Sequence, residues 1–216
     1  MLSYLFENFD ERAKIVAKLE DKANLFEQYI ANRCAPNPSY VVSTQQRCAS
    51  YFGIHNDEAV LQFFSKGQLK WIAQLQQENV AEEQAAKALF LQIFREARHK
   101  LEQSELSAVA HQLQLVMPQL TDHMLNATWQ HFLEGTYGVC TKDGLPDTVA
   151  KKQVLVTLID SFIARNASVR LDGIPRSYLS QLVDALDGVE PQFAPHERQR
   201  SSRQRCINEV RLNYLS

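Results

Sequence analysis

The sequence predicts an all-α protein, and three observations lead to that prediction. Apolar residues recur at steps of three and four along most of the chain, which is the spacing of one helix face. The chain has only 7 Gly and 7 Pro, and these lie between the periodic segments, as is typical of helical proteins. One segment, residues 81–101, is apolar on more than one side. We therefore predict a compact bundle of roughly eight to ten helices around a central helix at residues 81–101.

The central helix is predicted from its apolar stripe and from the order of its charges. The stripe consists of Ala85, Leu89, Phe90, Ile93, Phe94, Ala97 and Leu101. Glu82 and Glu83 stand at its start, and Arg98 and Lys100 stand near its end. Acidic residues at the amino end and basic residues at the carboxyl end complement the helix dipole.

The N-terminal third is predicted to be helical as well. A stripe runs from Leu2 to Ile30, as one helix or as two with a break near residues 8–10, and prolines at 36 and 38 end it. Residues 44–64 are predicted to form two short helices around a turn at Gly53. This segment superficially resembles a helix-turn-helix, but its second helix would begin with Asn56-Asp57-Glu58 and point carboxylates at phosphate. Two short core helices are the favoured interpretation.

Further helices follow in the second half of the chain. Short amphipathic segments cover Leu69–Leu75 and the residues after Ser104, and Thr121 is predicted to cap a helix that Gly135 closes. Residues 147–164 form a strongly apolar helix that we pair with the central one, and Pro175 suits the first turn of another. We expect residues 1–216 to form a single helical domain. If the chain divides, the boundary falls within the irregular residues 136–146.

Composition excludes several classes of protein. The net charge of −2 provides no overall attraction to nucleic acid or anionic lipid. The N-terminus lacks the basic and apolar regions of a secretory signal, and no apolar window is long enough to cross a bilayer, so we expect a cytoplasmic protein without membrane contact. The four cysteines form no C-x-x-C pair and are expected to be reduced, mostly buried thiols.

The C-terminal residues 196–216 are predicted to form an Arg-rich amphipathic helix. Its basic residues are all arginine, and arginine presents a fixed fork of donors that suits phosphate. The candidate site for nucleic acid or another anion is Arg198, Arg200, Arg203 and Arg205. The alternative is a solvated helix whose arginines pair with acidic neighbours, and this alternative is favoured because charge runs are usually solvated faces.

No catalytic signature is present. The sequence contains no G-x-S-x-G, P-loop or G-x-G-x-x-G motif, and we assign no catalytic residue, no metal ligand and no cofactor. Cys140 lies near Lys142, but a structural role is the favoured interpretation. Trp71 and Trp129 are expected in the core. His123, His131 and Asp160 are the best candidates for an enzyme site assembled from dispersed residues.

Three functional hypotheses remain open. The leading one is a non-enzymatic interaction protein, an adaptor or regulatory subunit, that binds another protein through an exposed helical groove or the C-terminal helix. The second is a nucleic-acid-binding regulator that uses the arginine cluster. The third is an enzyme with a dispersed His/Asp site. The oligomeric state and the identity of the partner are not predicted.

Overall fold

The structure is a computed structural model that describes residues 1–19, 22–51, 53–166 and 171–216, with the backbone alone for residues 44–50 and 53–58. It is predominantly helical, as predicted, with eleven α-helices and a small three-stranded sheet among the described residues. The elements are, in chain order, α1 Leu2–Asn8, β1 Asp10–Glu11, α2 Arg12–Leu19, α3 Ala23–Ala31, β2 Tyr40–Ser50, β3 Gly53–Phe64, α4 Gln68–Gln77, α5 Glu83–Glu102, α6 Glu105–Gln112, α7 Asp122–Leu133, α8 Thr136–Cys140, α9 Pro146–Arg165, α10 Gly173–Val189 and α11 Glu209–Tyr214.

The central helix is confirmed as α5, and its pairing with α9 is confirmed too. Phe90 and Phe94 of α5 lie in a first core cluster, which also contains Val149 from the start of α9. Leu158 of α9 lies in a second core cluster, against which Leu101 of α5 packs. Both helices therefore pass from the first cluster to the second and run in the same direction.

The first core cluster is built around stacked and edge-on aromatic rings. Trp71 lies 5.3 Å from Phe132 and 6.5 Å from Phe90, measured between ring centroids. Trp129 lies 5.4 Å from Phe90. Both tryptophans are fully buried, as expected, and the Trp71 indole donates to the carbonyl of Cys34 at 2.9 Å. These rings join α4, α5 and α7 into one core.

The prediction of two short helices for residues 44–64 is wrong, because this segment forms most of a β-hairpin. Strands β2 and β3 pair antiparallel over eleven residues, from Tyr40 opposite Phe63 to Ser50 opposite Gly53. Gly53 therefore starts a strand and does not close a helix. The physical reason is a period-two pattern: Val42 and Leu61 lie opposite each other and pack against a small cluster with Phe63. The described residues of this segment therefore contain no recognition helix.

Several predicted boundaries hold and others move. The N-terminal stripe breaks at Phe9, as one of the two alternatives predicted, but its described residues contain three helices, α1, α2 and α3, and not two. The Thr121 hydroxyl caps α7 by accepting from the Met124 amide at 3.2 Å. Residues 136–146 are less irregular than predicted, because α8 occupies their first half. Gly135 precedes α8 with a φ of 75°, and an added Cβ would lie 2.5 Å from the carbonyl oxygen of Asn37, so only glycine fits.

Among the described residues, no helix is long and apolar enough to cross a membrane.

Candidate functional site

The predicted helix at residues 196–216 is interrupted, and the four candidate arginines on it do not converge on one site. A single 3₁₀ turn covers Arg198–Arg200, and Ser201 then adopts an extended conformation. The Ser201 hydroxyl accepts from the Gln204 amide at 3.1 Å and so caps a second helical run, which includes a π-helical turn at Gln204–Asn208. The prediction of one continuous helix is wrong because Ser201 serves as a new start signal.

Two of the four candidate arginines are bound to aspartates of neighbouring helices. Arg203 is buried and forms an ion pair with Asp187 of α10 at 2.6 Å. Arg205 pairs with Asp160 of α9. Asp187 also accepts from Arg211, at 3.0 Å. These arginines therefore attach the C-terminal segment to the bundle.

The other two candidate arginines differ from these. The Arg198 Nε donates to the backbone carbonyl of Phe193 at 3.0 Å, whereas Arg200 is exposed and has no ion pair within the described part of the chain. The four guanidinium groups thus have separate environments. Their assignment as an anion site stays a prediction.

The dispersed histidine candidates also have separate environments. His131 lies 3.3 Å from the Glu134 carboxylate, and Asp160 is paired with Arg205. Among the described residues, no group of three or more His, Cys, Asp or Glu side chains is arranged to hold a metal ion. Cys34, Cys140 and Cys206 are free thiols, and the Cys48 side chain lies outside what the structure describes. Burial raises the pKa of the Cys140 thiol despite the nearby Lys152 ammonium, which disfavours a nucleophilic thiolate.

An open groove, absent from the sequence-based site predictions, lies between α5, α9 and the end of α10. It encloses about 360 Å³. We call it the α5–α10 groove. It is lined by Ile93, Glu96, Ala97, Lys100, Leu101, Ser104, Asp147, Lys151, Leu155, Ala185 and Val189.

The α5–α10 groove combines apolar and charged lining residues. Two of its apolar residues, Ala97 on α5 and Ala185 on α10, are small, and such side chains leave space between helices that larger ones would fill. Glu96 and Lys100 line it from α5 with four-residue spacing, so they share a helix face. Asp147 and Lys151 line it from α9 with the same spacing, and they form an ion pair at 3.4 Å.

Comparison with known proteins places this groove within a defined family segment. A family model described as a family of unknown function, DUF6058, matches residues 86–215, which is more than half of the chain. The chain belongs to the DUF6058 family. No curated protein and no solved structure matches it significantly. All residues that line the α5–α10 groove lie inside the DUF6058 segment.

The DUF6058 segment also contains a buried ion pair that holds the chain beyond α10. Lys152 of α9 lies 2.9 Å from the Glu190 carboxylate, and the side chains are 12% and 0% exposed. The Lys152 ammonium also donates to the Cys140 carbonyl at 2.6 Å and lies 5.6 Å from the centre of the Phe193 ring. Ser202 donates to the same Glu190 oxygen that faces Lys152. This Lys152–Glu190 pair is an anchor for the C-terminal segment.

Sequence reasoning missed the groove because its walls are far apart in the chain. Ala97 and Ala185 are separated by more than eighty residues. The available signal was weak: small residues stand within apolar stripes where larger ones would fill the core. Only the packing of α5 against α9 and α10 brings these positions together.

Proposed function

We propose that this DUF6058 protein is a non-enzymatic interaction protein that binds an amphipathic helix of a partner protein in the α5–α10 groove. The observation that carries the proposal is an open groove with an apolar interior and charged residues of both signs. Helix-binding grooves have this composition, because the apolar face of the ligand is buried while its polar face meets the rim. The groove encloses about 360 Å³, which suits the inserted side chains of a helix rather than a whole domain.

The dimensions of the groove support a short helical ligand. Ile93 and Leu101 both line it, and eight residues of helix correspond to about 12 Å. Two turns of a bound helix have about the same length. We expect two or three apolar ligand side chains, spaced three or four residues apart, to enter between Ala97 and Ala185.

The charges supply a direction for the ligand. On α5 and α9 an acidic residue precedes a basic one by one turn, Glu96 before Lys100 and Asp147 before Lys151, and the two helices run in the same direction. Along these two walls the groove is therefore acidic first and basic one turn later. A ligand helix with a basic residue at the first end and an acidic residue at the second matches this arrangement.

The geometry favours protein binding over nucleic-acid binding. Arg203 and Arg205 would have to leave Asp187 and Asp160 before either could contact a phosphate. The dispersed enzyme site is supported by no contact among His123, His131 and Asp160 within the described residues.

The test uses site-specific crosslinking in cells that produce the full chain. Glu96 is replaced by p-benzoylphenylalanine, and crosslinked partners are identified by mass spectrometry. Ala185→Trp, which fills the groove from a half-buried position on α10, is expected to reduce the crosslinked product about tenfold or more. Ser177→Trp is the control, because Ser177 is exposed on the same helix and does not line the groove. The control variant is expected to give as much crosslinked product as the chain without either Trp substitution.

Two further measurements complete this test. The segment of the partner that carries the crosslink is made as a peptide, which should be helical when bound and should compete with the intact partner. The double variant Lys100→Glu, Lys151→Glu should weaken binding of the peptide and leave the thermal stability of the protein nearly unchanged. Equal crosslinking in the Ala185→Trp and Ser177→Trp variants would show that the groove is not the binding site.

A further inference from the structure

Strand β2 has one edge with which no described strand pairs. The strand order of the sheet is β1-β3-β2, so β2 pairs with β3 on one side only. Within the described residues no strand covers the other side of β2, which leaves a row of backbone donors and acceptors over Tyr40–Ser50. Such an edge is a template for pairing with another strand.

The hairpin is supported by the body of the protein at its base. Tyr40, Val42 and Leu61 pack against a cluster formed by Leu5, Phe9 and Phe63. The opposite face of the hairpin is open there, with Val41 57% exposed and Val60 64% exposed. Strand β1 pairs only with Phe63 and Phe64 of β3, so the rest of the hairpin is a two-stranded ribbon, and such a ribbon is marginally stable in water. A further strand on β2 would therefore stabilise the hairpin.

The usual protections of an edge strand are missing from β2. Natural edge strands are short, charged, interrupted by proline or bent by a bulge. Strand β2 is eleven residues long, contains no proline and has one charged residue, Arg47. Its register with β3 continues through all eleven pairs without a bulge. The edge of β2 is thus regular, and no described strand pairs with it.

We infer that β2 pairs antiparallel with β2 of a second copy of this chain, which makes one continuous six-stranded sheet, in the order β1-β3-β2-β2-β3-β1, across a twofold axis. Antiparallel pairing of identical strands satisfies a twofold axis, because each residue pair occurs twice. The register that pairs all eleven residues places Gln45 opposite Gln45 of the second copy. Arg47 then lies opposite Ser43 of the second copy. This inference does not depend on the α5–α10 groove, which lies on other elements.

A second copy fits this edge better than an unrelated strand does. With Gln45 at the axis, the two Arg47 residues are not opposite each other, so the full overlap creates no like-charge pair. The resulting sheet joins the three strands of each copy into six, so both hairpins gain a neighbour along their full length. The same sequence supplies both halves of the pairing.

The test is sedimentation of the full chain over a range of concentrations, with paired charge variants. Ser43 is exposed, so a substitution there leaves the core intact. Ser43→Arg places arginines opposite each other twice in the dimer and should raise the dissociation constant roughly two- to thirtyfold. Ser43→Glu places a carboxylate opposite Arg47 twice and should lower it by a similar factor.

The matched control is Val60→Arg. Val60 lies directly across the hairpin from Ser43 and is exposed, but it is on β3 and one strand away from the proposed contact. It should leave the dissociation constant within about twofold. A chain that stays monomeric at all concentrations overturns the inference. A dimer whose strength is the same for Ser43→Arg, Ser43→Glu and the control also overturns it.

Discussion

Asp187 is the residue on which two arginines of the C-terminal segment meet. It accepts from Arg203 at 2.6 Å and from Arg211 at 3.0 Å. Burial alone would raise the pKa of its carboxyl group, but the two hydrogen-bonded guanidinium groups outweigh burial and hold the pKa below its ordinary value. The ionised form is thus more stable in the folded chain than in the unfolded one.

This shift predicts how stability depends on pH. The stabilisation from Asp187 is fully present above the unfolded pKa of about 4, and it is lost as the pH falls through the lower folded pKa. Asp187→Asn should therefore lower the free energy of unfolding at pH 7. The difference from the native chain should begin to shrink as the pH falls below about 4, and it should be smallest below the folded pKa, where the native carboxyl is protonated. Urea titrations of both chains at several pH values measure this difference in the free energy of unfolding. A difference that grows as the pH falls would contradict a stabilising role for the ionised Asp187 carboxylate.

At the scale of elements, the Lys152–Glu190 pair connects α9 to the chain that follows α10. Lys152→Met leaves the fully buried Glu190 carboxylate without its cation, and breaking a buried pair in this way costs about 3–5 kcal/mol. Adding Glu190→Gln removes the unpaired charge and should recover part of that loss. Denaturant unfolding measures both variants.

Hydrogen exchange separates an anchoring role from general destabilisation. If the pair holds the C-terminal segment, the amides of residues 190–202 should lose protection in Lys152→Met more than those of α5 do. Uniform loss of protection would mean that the pair stabilises the bundle as a whole.

The elements also show where sequence reasoning succeeds. Helices α5, α7, α9 and α10 were predicted because each has a long apolar stripe and clear end signals, such as Thr121 and Pro175. The hairpin was missed because Val60, Leu61 and Phe64 fit a helical spacing by themselves. The decisive signal was instead the alternation of Tyr40 and Val42 with Leu61 and Phe63 across two strands. Pairing between two successive segments decides such cases, and the pattern of one segment alone does not reveal it.

The candidate site was less predictable than the fold. The arginines were visible as a charge cluster, but their partners Asp160 and Asp187 lie on other helices, so only the tertiary structure shows the pairing. The α5–α10 groove exists because no large side chain fills the space between Ala97 and Ala185. A sequence records the side chains that are present, whereas a groove is formed by how elements pack around an unfilled space.

At the scale of the molecule, the DUF6058 segment depends on the residues before it. The first core cluster contains Phe26, Phe64 and Trp71 from outside the segment, together with Phe90 and Trp129 from inside it. A fragment of residues 86–215 would expose the rings that these residues cover. Its apolar surface would then be too poorly packed for a unique core.

We therefore expect the fragment 86–215 to keep helical circular dichroism but to lose the near-ultraviolet signal of its aromatic rings. It should also bind a hydrophobic dye more strongly than the full chain does. Cooperative unfolding with full-chain stability would show that the segment folds on its own. The prediction that residues 1–216 form one domain would then be wrong.

The parallel course of α5 and α9 has a consequence for the order of events during synthesis. Their pairing closes a loop of roughly forty residues, and this entropic cost precedes any contact between them. At ordinary rates of translation, α9 leaves the ribosome about two to nine seconds after α5. For that time the apolar sides of α5 that α9 will cover are open to solvent. The newly made chain therefore offers a binding site for chaperones at the helix on which the mature core depends.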